Sequence, residues 1–151
     1  MADAEEITAD WVVSAGSTAT FGRVLLAARD HHLVVDGPVS NGCLGEAITP
    51  AELFLGAVAS CAAGLIQVIA RERSLPLTDV DAEVAGKIDR AHEVRDDVTV
   101  FSHVWVRIGL RGVGDEDAAG LVEAFKARCP LYGTVAVASA NVEVTFTTEG
   151  A

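Results

Sequence analysis

The chain has 151 residues with 22 acidic and 11 basic side chains, so its formal net charge is −11. Half of the residues are apolar, which suffices for one globular domain with a buried core and argues against disorder. The acidic balance argues against nonspecific nucleic-acid binding, which needs clustered Lys and Arg. Because the N-terminus lacks a basic stretch followed by a small-residue cleavage site, we expect no signal peptide and a cytoplasmic protein.

The first third of the chain is predicted to be β-structure. Partial alternation of apolar residues predicts strands over residues 7–14 and 18–27, separated by a turn at residues 15–17. A short strand is predicted over residues 32–35, and a glycine-bearing loop over residues 40–47.

A long helix follows this β-structure. Thr49 fits the N-cap, Pro50 the first helical position and Glu52 the third position of a capping box. The helix is predicted to continue to about Arg73. Residues 53–70 are almost uninterruptedly apolar and approach the length of a membrane span.

We expect this apolar helix to be buried in protein, with no membrane as a partner. Ser60 and Gln67 interrupt it, and the flanking segments resemble amphipathic strands. A helix that is apolar on every face is buried either in lipid or within a larger globule. Because a chain of this size rarely surrounds a long helix, a second subunit is expected to cover part of it.

The second half alternates strands and helices. Strands are predicted over residues 80–90 and 98–111, joined by a polar connection at residues 91–97. Acidic residues 115–117 favour the start of a second helix, which ends near Cys129 before a short helical turn from Pro130. Alternation over residues 141–148 predicts a closing strand. One α+β domain over residues 1–151 accounts for these elements.

Two cysteines lie in unlike settings. Cys61 lies within the apolar helix, where a free cysteine often acts as a small hydrophobic residue. Cys129 precedes Pro130 at an N-cap-like position, where backbone N–H groups and the helix dipole favour a thiolate. If the two sulfurs meet, they can cycle between dithiol and disulfide, which is the route of peroxide reduction by thiols. An apolar pocket around Cys61 would suit an organic hydroperoxide better than hydrogen peroxide.

Zinc binding is the alternative chemistry for these thiols. The chain has neither a C-x-x-C motif nor a pair of His residues at i, i+4. Cys43, Cys61, Cys129 and His103 would form a site only if the fold happened to bring them together. We therefore predict no metal and no cofactor.

The segments around the two cysteines resemble the OsmC/Ohr family, named for osmotically inducible protein C and organic hydroperoxide resistance protein. The matching segments are residues 32–38 (HLVVDGP), 49–54 (TPAELF), 59–61 (ASC) and 129–130 (CP). The resemblance implies an intertwined homodimer in which two long central helices pack together, a second helix packs on an antiparallel sheet, and the active sites lie at the interface.

The resemblance also implies roles for single residues. Cys61 would be the peroxidatic and Cys129 the resolving cysteine, with a dithiol such as a lipoyl group as the reductant. The family's peroxidases pair the reactive thiolate with an Arg and a Glu. Arg29 is the preferred Arg, with Arg23 as the alternative.

The family's Glu has no clear counterpart in this chain. Alignment on Leu53 and Phe54 places that position at Ala51. The neighbouring Glu52 is better explained by the capping box.

The sequence thus predicts a thiol-dependent peroxidase that reduces organic hydroperoxides in oxidative stress defence. The missing Glu leaves open a protein that binds a hydrophobic ligand or senses stress with little turnover. A purely structural dimer with inert cysteines is a third reading.

Overall fold

The computed structural model describes residues 9–149 and is a mixed α+β structure, as predicted. Within these residues three α-helices and six strands follow one another in a fixed order. They are β1 (Ser14–Ser17), β2 (Arg23–Ala28), β3 (His31–Asp36), α1 (Pro50–Glu72), β4 (Asp79–Lys87), β5 (His103–Arg111), α2 (Asp115–Arg128), α3 (Pro130–Ala138) and β6 (Asn141–Glu149).

The described residues form two compact units that divide between Leu53 and Phe54, within α1. The first unit holds β1 to β3 and the second holds β4 to β6 with α2 and α3. The single domain over residues 1–151 stays a prediction.

The first unit contains a three-stranded antiparallel sheet in the order β1-β2-β3. The strand predicted over residues 7–14 and the turn predicted at residues 15–17 were wrong, because residues 9–13 form no strand and residues 14–17 do. Residues 7–8 of the predicted strand lie outside the described residues. Ser14–Ser17 is itself the strand, because its small residues pair through their backbone with β2. The second strand starts at Arg23 rather than at residue 18, after a turn that the Thr18 hydroxyl stabilises by donating to the Arg23 carbonyl oxygen.

The second unit contains a mixed sheet in the order β4-β5-β6. β4 pairs with β5 antiparallel, whereas β6 pairs with β5 parallel. The parallel pairing differs from the antiparallel sheet that the resemblance implies. It follows from the connection, because α2 and α3 carry the chain back to the beginning of β5 before β6 starts.

The core of the second unit lies between this sheet and the helices. β5 is central in its sheet and buries alternate residues, namely Val104, Val106, Ile108 and Leu110. α1 covers them with Val58, Ala62, Ile66 and Ile69, and α2 adds Leu121, Val122 and Phe125. The spacing of three and four residues puts each helical set on one face of its helix.

Strands β4 and β5 are shorter than predicted, because a longer irregular connection separates them. β4 ends at Lys87 and β5 begins at His103. The Asp89 carboxylate accepts hydrogen bonds from the backbone N–H groups of Ala91 and His92, which turns the chain away from the sheet.

The predicted capping box of α1 is confirmed. The Glu52 carboxylate accepts hydrogen bonds from the Thr49 N–H and hydroxyl, both at 2.8 Å. The other end of α1 is joined to α2, because the Arg128 guanidinium donates to both carboxylate oxygens of Glu72. These contacts fix the ends of the helix that carries Cys61.

One face of α1 is exposed in this chain, and the second subunit that is expected to cover part of the helix stays a prediction. Gly56, Ser60, Gly64, Gln67 and Val68 lie on the exposed side. By length and composition, α1 is also the one helix in residues 9–149 that could cross a membrane, with a mean hydropathy of 2.1 over its most apolar window. A core helix of a soluble protein meets the same criterion.

Truncating Phe125 tests the core. The ring is fully buried between α1, α2 and the sheet, so Phe125→Ala should lower the free energy of unfolding by about 3–5 kcal/mol. Urea denaturation measures this loss. Val137→Ala is the matched control at an 87% exposed position and should change stability by less than about 0.5 kcal/mol. Equal effects of the two substitutions would contradict this core.

Candidate active site

The second unit breaks its helical path at Cys129, which ends α2 and begins α3. The Cys129 N–H donates to the Phe125 carbonyl at 2.9 Å, and the Cys129 carbonyl accepts from the Gly133 N–H at 3.0 Å. Its own backbone is extended (φ −83°, ψ 113°). Pro130 is the cause, because a proline disfavours helical backbone in the residue before it. The predicted short turn after Pro130 is a nine-residue helix.

This junction makes Cys129 the N-cap of α3, as predicted from its position before Pro130. The Tyr132 N–H donates a hydrogen bond to the Cys129 Sγ at 3.3 Å. Cys129 is only 3% exposed. The Phe125 and Tyr132 rings pack beside each other with centroids 5.4 Å apart, which ties the ends of the two helices together.

Cys61 lies in the middle of α1 and is half-buried against the same core. Its Sγ lies 2.8 Å from the Cys129 Sγ, and both residues are free thiols. The structure therefore brings together the two cysteines that are 68 positions apart in sequence. Their catalytic roles stay predictions.

The Cys61 thiol is a weak acid in this arrangement. Burial, the hydrogen bond with Cys129 and electrostatic repulsion from Cys129 raise the pKa of Cys61 to about 11. All three effects disfavour the thiolate of Cys61. A reactive Cys61 therefore needs either an added positive charge or a base that removes its proton during the reaction.

An apolar groove of about 200 Å³ lies between α1, α3 and the segment that precedes β5. Its lining residues are Phe54, Val100, Phe101, Thr134, Val135, Ala138 and Ser139. The Phe54 and Phe101 rings stack with centroids 5.7 Å apart. Sequence analysis missed this groove, because Phe101 falls inside a predicted strand and Phe54 inside an apolar run, where aromatic residues carry no distinct signal.

Arg23, the alternative cation, is engaged in an ion pair of the first unit. Its guanidinium donates two hydrogen bonds to Asp36, at 2.7 and 2.8 Å, and one to Glu46 at 2.9 Å. Asp36 is buried, and the pair with Arg23 holds the pKa of its carboxyl far below the usual range. The backbone N–H groups of Glu46 and Ala47 add to this effect. Arg23 therefore has a structural role in its sheet.

Arg29, the preferred cation, is exposed in the turn between β2 and β3 with a positive φ of 54°. It belongs to the first unit, whereas both thiols belong to the second. Its action on Cys61 stays a prediction. Ala51 supplies no carboxylate, and the Glu52 carboxylate is occupied by the Thr49 N–H and hydroxyl, which lower its pKa.

The other residues considered for zinc have different surroundings. Cys43 is half-buried in the first unit, where its Sγ fills the space beside Gly22 and Gly37. A Cβ at Gly22 would lie 2.3 Å from that sulfur, so this position needs glycine. His103 stacks on Trp105, and its Nε2 lies 2.7 Å from the Asn141 amide nitrogen. Within residues 9–149, no group of three or more His, Cys, Asp or Glu side chains is arranged to hold a metal.

Comparison with known proteins identifies the family. The family described as OsmC-like protein matches residues 44–145, which include both thiols. The chain belongs to the OsmC-like family. The resemblance seen in the sequence is thus confirmed. A search of curated protein sequences returns no match.

Solved structures support the OsmC-like fold. An OsmC-like protein from Mycoplasma pneumoniae superposes with a TM-score of 0.80 at 12% identity, covering 94% of this chain and 99% of the other. An organic hydroperoxide resistance protein OsmC from Legionella pneumophila superposes with a TM-score of 0.74 at 18% identity, covering 94% of this chain and 99% of the other. An organic hydroperoxide resistance protein from Elizabethkingia anophelis superposes with a TM-score of 0.72 at 15% identity, covering 97% of this chain and 100% of the other. At these identities the likeness establishes the fold.

Replacing Cys129 should make the Cys61 thiol of this OsmC-like protein more acidic. Two of the three causes that raise its pKa come from Cys129, so Cys129→Ser should lower the pKa of Cys61 from about 11. Burial remains and should keep it above the ordinary value. Ultraviolet absorbance of the thiolate against pH measures the change, with Cys43→Ser in all proteins to remove the third thiol. An unchanged midpoint would contradict the coupling.

Proposed function

We propose that this OsmC-like protein is a thiol-dependent peroxidase that reduces organic hydroperoxides in oxidative stress defence. The observation that carries the proposal is the 2.8 Å contact between the Cys61 and Cys129 sulfurs. Free thiols at this separation can form a disulfide after a small side-chain movement. The names of the relatives from Legionella pneumophila and Elizabethkingia anophelis, both organic hydroperoxide resistance proteins, point in the same direction.

The reaction uses both thiols. The Cys61 sulfur attacks the terminal oxygen of the hydroperoxide, the O–O bond breaks, and the alcohol leaves with a proton. Cys61 becomes a sulfenic acid. Cys129 then attacks the Cys61 sulfur and displaces hydroxide, which leaves as water and completes the disulfide. An external dithiol, a lipoyl group among the candidates, reduces this disulfide by thiol exchange.

The apolar groove suits the organic part of such a substrate. Phe54 lies seven residues before Cys61, so it is on the same side of α1 and about 10 Å along the helix axis. The wall contributed by α3 belongs to the helix that Cys129 caps. A hydrocarbon chain in the groove would be removed from water while its peroxide end approaches the thiols.

A positive charge would assist this chemistry, because the surroundings of Cys61 favour the neutral thiol. Arg29 is proposed for this role, contributed by the partner subunit of a homodimer. The exposed face of α1, with Gly56, Gly64 and Val68, is the surface through which two copies would pack. The cytoplasm, where thiols are kept reduced, is the proposed location.

The raised pKa of Cys61 and the alanine at position 51 favour one second candidate function. In that reading the protein binds a hydrophobic ligand in the groove or senses stress through slow oxidation of the thiols. The two functions differ in rate, so the same measurement separates them.

Reduced Cys43→Ser protein should lose two thiols per chain within seconds to minutes when treated with micromolar cumene hydroperoxide, and more slowly with hydrogen peroxide. Thiol counting over time measures both reactions. Cys61→Ser should abolish the organic peroxide reaction, because the attacking sulfur is removed. If the parent protein loses no thiol over minutes, the peroxidase is excluded and the ligand-binding reading is favoured.

Substituting the two arginines should separate their roles. Arg29→Gln should slow hydroperoxide consumption by about tenfold or more, since a preorganised cation contributes that much to a charged transition state. The matched Arg23→Gln breaks the pair with Asp36 and should lower thermal stability. Peroxide consumption and thermal melting are measured on both variants. A full rate in Arg29→Gln would remove Arg29 from the mechanism.

A further inference from the structure

One wall of the apolar groove depends on a missing side chain in β4. Strand β4 turns Val80, Ala82 and Val84 toward the core of the second unit, where they pack against it. Gly86 continues this face by the alternation of the strand but carries no side chain. The Phe101 ring occupies the space that a side chain at position 86 would take.

The approach between Gly86 and Phe101 leaves no room for a Cβ atom. A Cβ at Gly86 would lie 2.8 Å from two carbons of the Phe101 ring and 3.1 Å from the Leu55 Cδ2. Carbon atoms in contact are ordinarily about 3.5–4.0 Å apart. The backbone itself does not require glycine, since the φ of Gly86 is not positive. Glycine at this position therefore makes room for the ring.

The Phe101 ring is held from other sides as well. It stacks on the Phe54 ring with centroids 5.7 Å apart and planes 5° from parallel, as offset aromatic pairs do. The following residue, Ser102, donates hydrogen bonds from its N–H and its hydroxyl to the Lys87 carbonyl, at 2.8 and 2.9 Å. Because Lys87 comes directly after Gly86 in β4, these bonds hold Phe101 against the glycine.

The groove has room for about one aromatic ring. Its volume of about 200 Å³ compares with the cavity of about 150 Å³ that holds one benzene molecule. The two phenylalanine rings and the α3 residues Thr134, Val135 and Ala138 line it, and none of them carries a charge. A longer hydrocarbon chain would extend from the groove into water, where it gains nothing from burial.

We propose that Gly86 sets the size of the organic group that this protein accepts, because it leaves room for the Phe101 ring beside the groove, and that compact aryl hydroperoxides are the preferred substrates. This assignment rests on the proposed function and adds the substrate class to it. Gly86 acts through Phe101 and is therefore a positioning residue. A methyl group added at position 86 would force the ring away from β4. The groove is the open space beside the ring, so the ring would move into it.

The test compares Gly86→Ala with Gly16→Ala, both in Cys43→Ser protein. Gly16 is also a strand glycine, but no heavy atom of the described residues, its chain neighbours aside, lies within 4 Å of the place of its Cβ. The substrates are cumene hydroperoxide and tert-butyl hydroperoxide, which differ only by a phenyl group in place of a methyl group. The ratio of their kcat/KM values therefore reports the binding of the ring.

The ratio should fall only where the groove is narrowed. The parent should prefer cumene hydroperoxide, and Gly86→Ala should lower its ratio by about tenfold, mainly through a higher KM, because binding is lost while the thiols stay in place. Gly16→Ala should keep the parent's ratio within about twofold. No preference in the parent, an unchanged ratio in Gly86→Ala, or an equal loss with both substrates would overturn the inference.

Adding Phe101→Leu tests whether the effect passes through the ring. In Phe101→Leu protein, Gly86→Ala should change the ratio by less than about twofold, because the ring that the methyl group would displace is gone. The same tenfold loss in this background would assign the effect to Leu55 or to the strand and would overturn the role of Phe101.

A long-chain substrate tests the size limit in the parent alone, so the inference remains testable if Gly86→Ala does not fold. Linoleic acid hydroperoxide should react no faster than cumene hydroperoxide, because most of its chain lies beyond the groove. A kcat/KM about tenfold above that of cumene hydroperoxide would show that a longer chain is also buried, and would overturn the size limit.

Binding of the alcohol products separates this inference from the proposed function. If the parent consumes neither small hydroperoxide, the proposed function fails, and titration by nuclear magnetic resonance with 2-phenyl-2-propanol and tert-butanol tests the groove without turnover. Tighter binding of the aryl alcohol in the parent, lost in Gly86→Ala and kept in Gly16→Ala, would support the role of Gly86. Equal binding of both alcohols, or equal binding in all three proteins, would overturn it.

Discussion

The structure of the second unit depends on one break in the helical path, at Cys129 and Pro130. Phe125 on one side of the break and Val135 on the other are both buried, so the two helices are fixed in the core independently. The chain must change direction between them. Proline imposes the extended backbone that achieves this, and the side chain at the break becomes an N-cap. A continuous helix would rotate each following residue by about 100° and would leave no free N–H beside the sulfur.

Local signals predicted the elements whose ends are determined by side chains. The Thr49 and Glu52 pair gave the start of α1, and the acidic first turn gave the start of α2. β1 was misplaced because its alanine and glycine resemble a turn, while its strand conformation comes from pairing with β2. The parallel pairing of β6 depends on a crossover of two helices, which strand alternation does not encode.

The site was predictable in part. The apolar setting of Cys61 and the Pro130 next to Cys129 singled out both residues, and the family resemblance connected them. Their contact is tertiary, since it depends on how α1 and α2 pack over β5. The engagement of Arg23 with Asp36 likewise became visible only when β2 and β3 were paired, because the two residues face each other across that ladder.

Two thiols in contact form one acid–base system, and the backbone around the two sulfurs differs. Two negative sulfurs at 2.8 Å would repel each other strongly, so a single ionisation dominates. Cys61, in mid-helix and half-buried, has a raised pKa. The Cys129 sulfur lies at the N-terminus of α3 and accepts a hydrogen bond from the Tyr132 N–H. The asymmetry follows from where each residue lies, since Cys61 is in mid-helix and Cys129 caps α3.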